Sequence, residues 1–406
     1  MSCAQQKTVY SSNENLYKKD NRELSAGIIC YHINDSVSAL YFSIPNENLI
    51  YKHPDTSSAF YSAVKIKFFV YPEENPNLLM DSGSAQIYDR QSKTVYSSEL
   101  TGDIYLDLHP GKKYTAEIFI YDLNRKSKSS FILSIDKSNN YGKQNFLLQN
   151  KNGKVLFGNT FKCGDTIIVK SSRYLQLNAQ VHYFSLEFPL ALPPFSQFTR
   201  ESFEYKPDKE FRIDRTGGVF TLIVPQNGFY HLLTSENSMN GVTVFAGHPS
   251  FPKIKDANEM IRCTRYIMSK KEYENCLSSV NLKQAIDEFW LEIAGSNERA
   301  KELIRKYYGR VEESNKLFTS YQPGWQSDRG MIYIVFGAPN TMHKYNDSET
   351  WVYGTETQPN AIRFNFKKII NPFTNNDFIL ERSDFLKEPW YNAVENWRQG
   401  HIYLDN

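Results

Sequence analysis

Seven consecutive residues, Gly324-Trp325-Gln326-Ser327-Asp328-Arg329-Gly330, place a hydroxyl, a carboxylate, a guanidinium and an indole in one short stretch, and His343 follows close behind. These are the residue types of a hydrolytic site: a Ser nucleophile, a His base and a carboxylate to orient the base. The chain lacks the Gly-x-Ser-x-Gly elbow that usually presents such a serine. A local reading accounts for more of the residues. Ser327 and Asp328 have side-chain oxygens that accept backbone N–H groups in a turn. Arg329 can pair with a carboxylate or bond the orphan carbonyls of a helix end. Gly324 and Gly330 allow backbone angles that other residues resist. Trp325 then plugs a core, its indole N–H seeking one acceptor. The expectation is a structural motif with no catalytic residues.

Other chemistries find less support. The eight histidines (His32, His53, His109, His182, His231, His248, His343 and His401) form no i, i+4 pair and no HExxH. The Asp- and Asn-containing stretch at 371–377 lacks EF-hand spacing. There is no GxxxxGK[ST] and no GxGxxG. Asp287, Glu288 and Glu292 read as a solvated helix face. A net charge of +2, from 47 basic and 45 acidic residues, offers no footprint for nucleic acid. No metal, cofactor, nucleotide or nucleic acid is expected. The five cysteines show no CxxC spacing. Cys263 and Cys276 lie close enough in sequence for a disulfide, but buried free thiols are the expected state.

The elements that position these residues fall into three parts. Residues 1–21 read as a tether. From 22 to 137 the period is two. Val64, Ile66, Phe68 and Val70 share a face opposite Lys65 and Lys67, while Ile104, Leu106 and Leu108, then Tyr114, Ala116, Ile118 and Ile120, repeat the pattern. Short strands and frequent turns predict an antiparallel sandwich. Residues 138–250 form a second all-β stretch, with strands at FLLQN, KVLFGN, DTIIVKSS, VHYFSLEF, EFRI, VFTLIV and GFYHLLT. From 251 to 406 the period becomes helical. Ser269 and Glu272 form a capping-box pattern, Asn281 caps a helix ending at Gly295, and a longer helix runs from about Asn297 to Phe318. MIYIVFG, with Ile332 to Phe336 at its centre, reads as a buried strand. TWVYG and the alternating Ile362, Phe364 and Phe366 complete a small sheet. The fold class is thus multidomain: two all-β sandwich-like N-terminal domains, then an α+β C-terminal domain.

The 251–406 region resembles the GWxTD-domain family of Bacteroidota envelope lipoproteins. Phe289-Trp290, then Tyr307-Tyr308 with Arg310, precede the Gly324–Gly330 signature. Gly337-Ala338-Pro339 and Glu349-Thr350-Trp351-Val352-Tyr353 follow it. The match covers about 280–366. Ser327 stands where the family has Thr, which keeps the hydroxyl and drops the methyl. The resemblance implies a secreted, often lipid-anchored protein with a β-rich N-terminal part and no established enzymatic activity. Cys3, followed by a polar tail, then reads as the lipidated cysteine of a lipoprotein whose signal peptide has been replaced by a start Met. The absence of acidic residues in Ala4-Gln5-Gln6-Lys7 favours the periplasmic face of the outer membrane.

A non-enzymatic scaffold or accessory subunit of an envelope machine (barrel assembly, secretion or export) is the expected role, with outer-membrane proteins as partners. Contacts are expected from the proline-rich loop at 189–198, through Leu190, Leu192, Phe195 and Phe198, and from the C-terminal tail, through Trp390 and Trp397. The alternatives are a carbohydrate-binding lipoprotein and a hydrolase with an unrecognised site. The first is disfavoured because most Tyr and Phe of the β stretches alternate into predicted cores.

Overall fold

The computed structural model describes residues 24–402 apart from 54–58, 92–97, 126, 173–175, 186, 199–204, 236–237 and 346. Cys3 and the expected tether lie outside the described residues.

The first unit holds strands β1 (Gly27–His32), β2 (Val37–Pro45), β3 (Phe60–Pro72), β4 (Asp81–Gln91), β5 (Glu99–Asp107), β6 (Lys113–Asp122) and β7 (Ser127–Asp136). They form two antiparallel sheets, β1-β2-β5 and β4-β3-β6-β7. Leu40, Phe42 and Ile44 from the first sheet meet Val64, Ile66, Phe68 and Val70 from the second in one core. The period-two pattern of β3 thus sends its apolar residues inward and its lysines out, as a half-buried strand requires. The same alternation turns Tyr61, Phe69 and Tyr71 outward. They share the outer face with Tyr88, Phe119 and Tyr121, so the expectation that most such rings enter cores fails on this sheet.

The second unit contains β8 (Phe146–Gln149), β9 (Thr160–Lys162), β10 (Thr166–Ser171), β11 (Asn178–Phe184), β12 (Lys209–Thr216), β13 (Val219–Ile223), β14 (Gly228–Ser235) and β15 (Ser238–Gly247). Their order is β8-β10-β13-β12-β11-β14-β15-β9, antiparallel except for the β15–β9 pair. β12 pairs with β13 only over Arg215↔Phe220 and Thr216↔Val219, and with β11 over the rest. β12 thus joins two halves of the sheet, and residues of both, Val169 and Phe220 on one side and Val181 and Leu232 on the other, share one cluster. KVLFGN is not a strand; it contributes the isolated bridge Gln149↔Val155.

The third unit begins with helices α1 (Ala257–Thr264), α2 (Lys270–Ser278), α3 (Leu282–Ala294), α4 (Asn297–Phe318) and α5 (Asp328–Phe336). The small antiparallel sheet β16 (Thr341–Lys344), β17 (Ser348–Tyr353), β18 (Ile362–Lys368) and β19 (Phe378–Leu380) follows, and α6 (Lys387–Arg398) closes the unit. The local signals hold: Ser269 and Glu272 make both bonds of a capping box, Asn281 caps α3, and Gly295 ends it at φ 68°. MIYIVFG is the correction. It is the core of a helix, capped by Ser327 and buried at all nine positions. A continuous apolar run carries no period to separate a buried strand from a buried helix. Cys30, Cys163, Cys263 and Cys276 are free thiols, and burial pushes the Cys30 thiol up to about 12.

The second and third units meet in an aromatic cluster. Phe184 stacks on Phe229 at 4.5 Å, and Phe373, from the loop before β19, packs edge-on 5.0 Å from Phe229 and 5.0 Å from His231. β14 is therefore buried on both faces: Tyr230 and Leu232 enter the sheet core, while Phe229 and His231 face the third unit.

Candidate functional site

The signature turn links the end of α4 to the start of α5. Its two glycines are required by space. A Cβ on Gly324 would lie 1.9 Å from the Ser314 carbonyl oxygen, and one on Gly330 would lie 1.9 Å from the Gly324 carbonyl oxygen. Neither has a positive φ, which replaces the expectation that they supply unusual backbone angles. This close approach lets Ser327 act twice: its hydroxyl donates to the Gly324 carbonyl at 2.7 Å and accepts the Gly330 N–H at 3.0 Å. Trp325 is buried. Its backbone N–H donates to Asn315 Oδ1 at 3.2 Å, and its backbone carbonyl accepts the Tyr266 hydroxyl at 2.9 Å. Removing the Ser327 cap is expected to cost about 2 kcal/mol in Ser327→Ala, whereas Ser327→Thr stays within about 1 kcal/mol of wild type, read from urea midpoints.

The two charged residues reach well beyond the turn. The expectation for Asp328 was a local N–H. Instead its carboxylate accepts the Leu380 N–H of β19 at 2.8 Å and pairs with Arg382 at 2.6 Å. Arg329 is buried between the Phe378 and Phe318 rings, 4.1 and 5.1 Å from their centroids. It pairs with the buried carboxylate of Glu349 at 3.2 Å and donates to the Asn376 carbonyl at 2.8 Å. Glu349 also accepts the Trp351 indole N–H. The Asn376 amide donates to the Leu317 and Thr319 carbonyls, closing the C-terminal end of α4. At the far end of α5, Arg310 and the Trp397 indole bond the carbonyls of Ile334 and Val335. The polar groups of the motif thus serve as a lock among α4, α5, β17, β19 and α6.

This lock does not assemble a nucleophile. The Ser327 hydroxyl donates to a carbonyl in its own turn, and His343 pairs with Glu356 on the exposed side of β16. Asn315, Asn376 and Arg382 complete the lock without having been singled out in the sequence. Asn376 and Arg382 act across about fifty residues and Asn315 across ten, and none leaves a local spacing signal.

Beside the lock lies an open groove of about 800 Å³. One wall is the 189–198 loop, the other is α6, and the floor is the α1–α2 junction at 265–269. The loop is strapped to the third unit: Arg382 donates to the Leu192 carbonyl and the Ser383 N–H donates to the Pro194 carbonyl, each at 3.0 Å. Leu190 and Phe195 pack partly buried on the third unit's core, and Leu192 is half-buried. Phe198 is 79% exposed, and Tyr391 of α6, 53% exposed, packs against Phe195 at 5.4 Å. Trp390 and Trp397, expected as contacts, are 5% and 0% exposed. They sit on the inner stripe of α6 and pack in the core, and Trp390 also lines the groove.

Arg398 lines the groove and pairs with Glu272, with bonds of 2.8 and 2.9 Å. The Arg398 guanidinium holds the Glu272 carboxyl down to about 2, from an ordinary 4.5. A depressed carboxylate stabilises the fold above its unfolded pKa, so this contribution is complete above pH ~5 and fades as pH falls through the folded value near 2. Glu272→Gln is expected to flatten part of the acid limb of stability between those values, measured by thermal melting against pH.

A family model described as the GWxTD domain matches residues 228–399. No curated protein matches the chain. Among solved structures, a calcium-binding mutant of Bacteroides uniformis beta-glucuronidase 2 shows a slight likeness, with 11% identity and a TM-score of 0.18, covering 32% of this chain and 15% of that one. The family match begins at Gly228, the first residue of β14, so the matched unit takes in two strands of the eight-stranded sheet together with the aromatic face that Phe229 and Phe245 turn toward Phe373 and Phe251. The chain carries a GWxTD domain over residues 228–399, formed by the β14–β15 hairpin, the helical layer and the small sheet.

Proposed function

We propose that this chain is a non-enzymatic accessory subunit of an outer-membrane protein machine for barrel assembly, secretion or export, held to the membrane by lipid on Cys3 at the periplasmic face. The observation that supports this most is the groove between the 189–198 strap and α6. The signature residues beside it are used up in holding the fold. The groove remains open, walled by Leu190, Leu192 and Phe195 and rimmed by the exposed Tyr391. Exposed apolar surface rimmed by polar groups is the form a protein contact takes. Buried, mutually bonded signature residues suit a rigid scaffold that presents it.

Affinity purification of the tagged, membrane-anchored chain tests the reading. Stoichiometric recovery of integral barrel proteins supports it, and recovery of the chain alone from solubilised membranes contradicts it. The anchor has its own test. Cys3→Ala in the native precursor should release the protein from membranes, and full membrane retention would refute lipidation there.

A further inference from the structure

The outer face of the β4-β3-β6-β7 sheet has an ordered composition. Pairing register aligns Gln86, Lys65, Tyr121 and Lys128 in one row across the four strands, and Ser84, Lys67, Phe119 and Ser130 in the next. Ser82, Phe69, Glu117 and Ile132 make the third. Lysine ammoniums lie over the rings: Lys128 is 4.3 Å from the Phe119 centroid and Lys67 is 5.9 Å from that of Tyr121. At the sheet's edge, Tyr88 is 68% exposed and its hydroxyl accepts the Gln86 amide at 2.6 Å. Arg90, opposite Tyr61, adds a further cation 5.7 Å from that ring. Across these three rows and Arg90, four cations face the single carboxylate of Glu117.

We propose that this face binds an anionic polysaccharide of the uronic-acid or sulfated class. Three kinds of group are present in alternation, and such a chain uses all three. One side of a pyranose ring presents slightly positive C–H bonds, which pack on the negative face of an exposed aromatic ring, here that of Tyr88. Its carboxylates or sulfates take charge-assisted bonds from lysine and arginine. Its hydroxyls pair with the neutral donors and acceptors of Ser82, Ser84, Ser130 and Gln86. A purely solvated sheet face needs neither aromatic rows nor an excess of one charge sign. The face belongs to the first unit and the groove lies between the second and third, so this proposal stands apart from the scaffold reading.

Titration calorimetry on the full chain tests it, with polygalacturonate and chondroitin sulfate as probes. Dextran serves as a neutral glycan, polyglutamate as a polyanion without sugar rings, and single-stranded DNA as a polyanion with stacking bases. At least one anionic glycan should bind, and binding should weaken about tenfold in Lys65→Ala/Lys67→Ala and again in Tyr88→Ala. Thermal melting should be unchanged in Tyr88→Ala, whose side chain is largely exposed. Absence of binding to both anionic glycans would overturn the proposal. So would equal binding to dextran, polyglutamate or DNA, or indifference to the loss of Tyr88.

Discussion

Arg329→Met is expected to destabilise the fold by about 3 kcal/mol, toward the lower end of the cost of removing one member of a buried ion pair, because Lys344 still faces Glu349 at 3.9 Å. Arg329 and Glu349 are 3% and 1% exposed at their side chains, so the Glu349 carboxylate loses its buried guanidinium and keeps the largely exposed Lys344 ammonium at 3.9 Å in a site with little access to water. The lost guanidinium also leaves the Asn376 carbonyl without that donor, at the point where Asn376 closes α4. Against a typical net stability of about 5–15 kcal/mol, this is enough to cut soluble yield. Arg329→Met combined with Glu349→Leu should recover a substantial part of the loss, because both charges are then gone. Urea denaturation of the two single variants and the double variant measures this coupling. Strict additivity would show that the pair does not act as the lock described above.

Gly324→Ala should be at least as damaging. The new methyl would meet the Ser314 carbonyl oxygen at 1.9 Å, its carbon at 2.7 Å and the Asn315 Cα at 2.9 Å, all of them backbone. No rotamer change relieves such a clash, so the end of α4 and the signature turn must separate. That loosens the Trp325–Asn315 and Ser327–Gly324 bonds together. The expected cost lies at or above the upper end of the ~1–3 kcal/mol overpacking range. A control at Gly309, mid-helix in α4 with nothing beyond its own helix backbone within 4 Å of where a Cβ would lie, should be neutral or stabilising as Gly309→Ala. A wild-type urea midpoint for Gly324→Ala would mean the two segments are not held in this close approach.

What the sequence revealed follows from how local each signal is. The capping box at Ser269 and Glu272, the Asn281 cap and the Gly295 terminus each depend on contacts within a few residues, and all were legible. The β3 alternation was legible because one face meets a core and the other meets water. α5 was not, since burial on every side removes the period that distinguishes helix from strand. The Ser327 hydroxyl was legible as a turn bond because both its partners, Gly324 and Gly330, lie three residues away. Asp328 was not, because its partners Leu380 and Arg382 come from the far end of the domain. The 189–198 loop was legible as apolar and proline-rich. Its strapping to Arg382 and Ser383 was not, because it joins segments almost two hundred residues apart. Trp390 and Trp397 read as surface contacts because tryptophans near a chain's end suggest docking. The helix they sit on turns both inward, leaving Trp390 at the groove's wall and Trp397 in the core.

The central claim is that the signature holds the fold while the groove beside it makes the contact. The most direct measurement is the ratio of barrel partner to tagged chain recovered from membranes, compared between Tyr391→Asp at the groove rim and Ser327→Thr in the signature. Loss of the partner in Tyr391→Asp, with full recovery in Ser327→Thr and unchanged melting of both, is the predicted result. Full recovery in Tyr391→Asp with loss in Ser327→Thr would contradict the account.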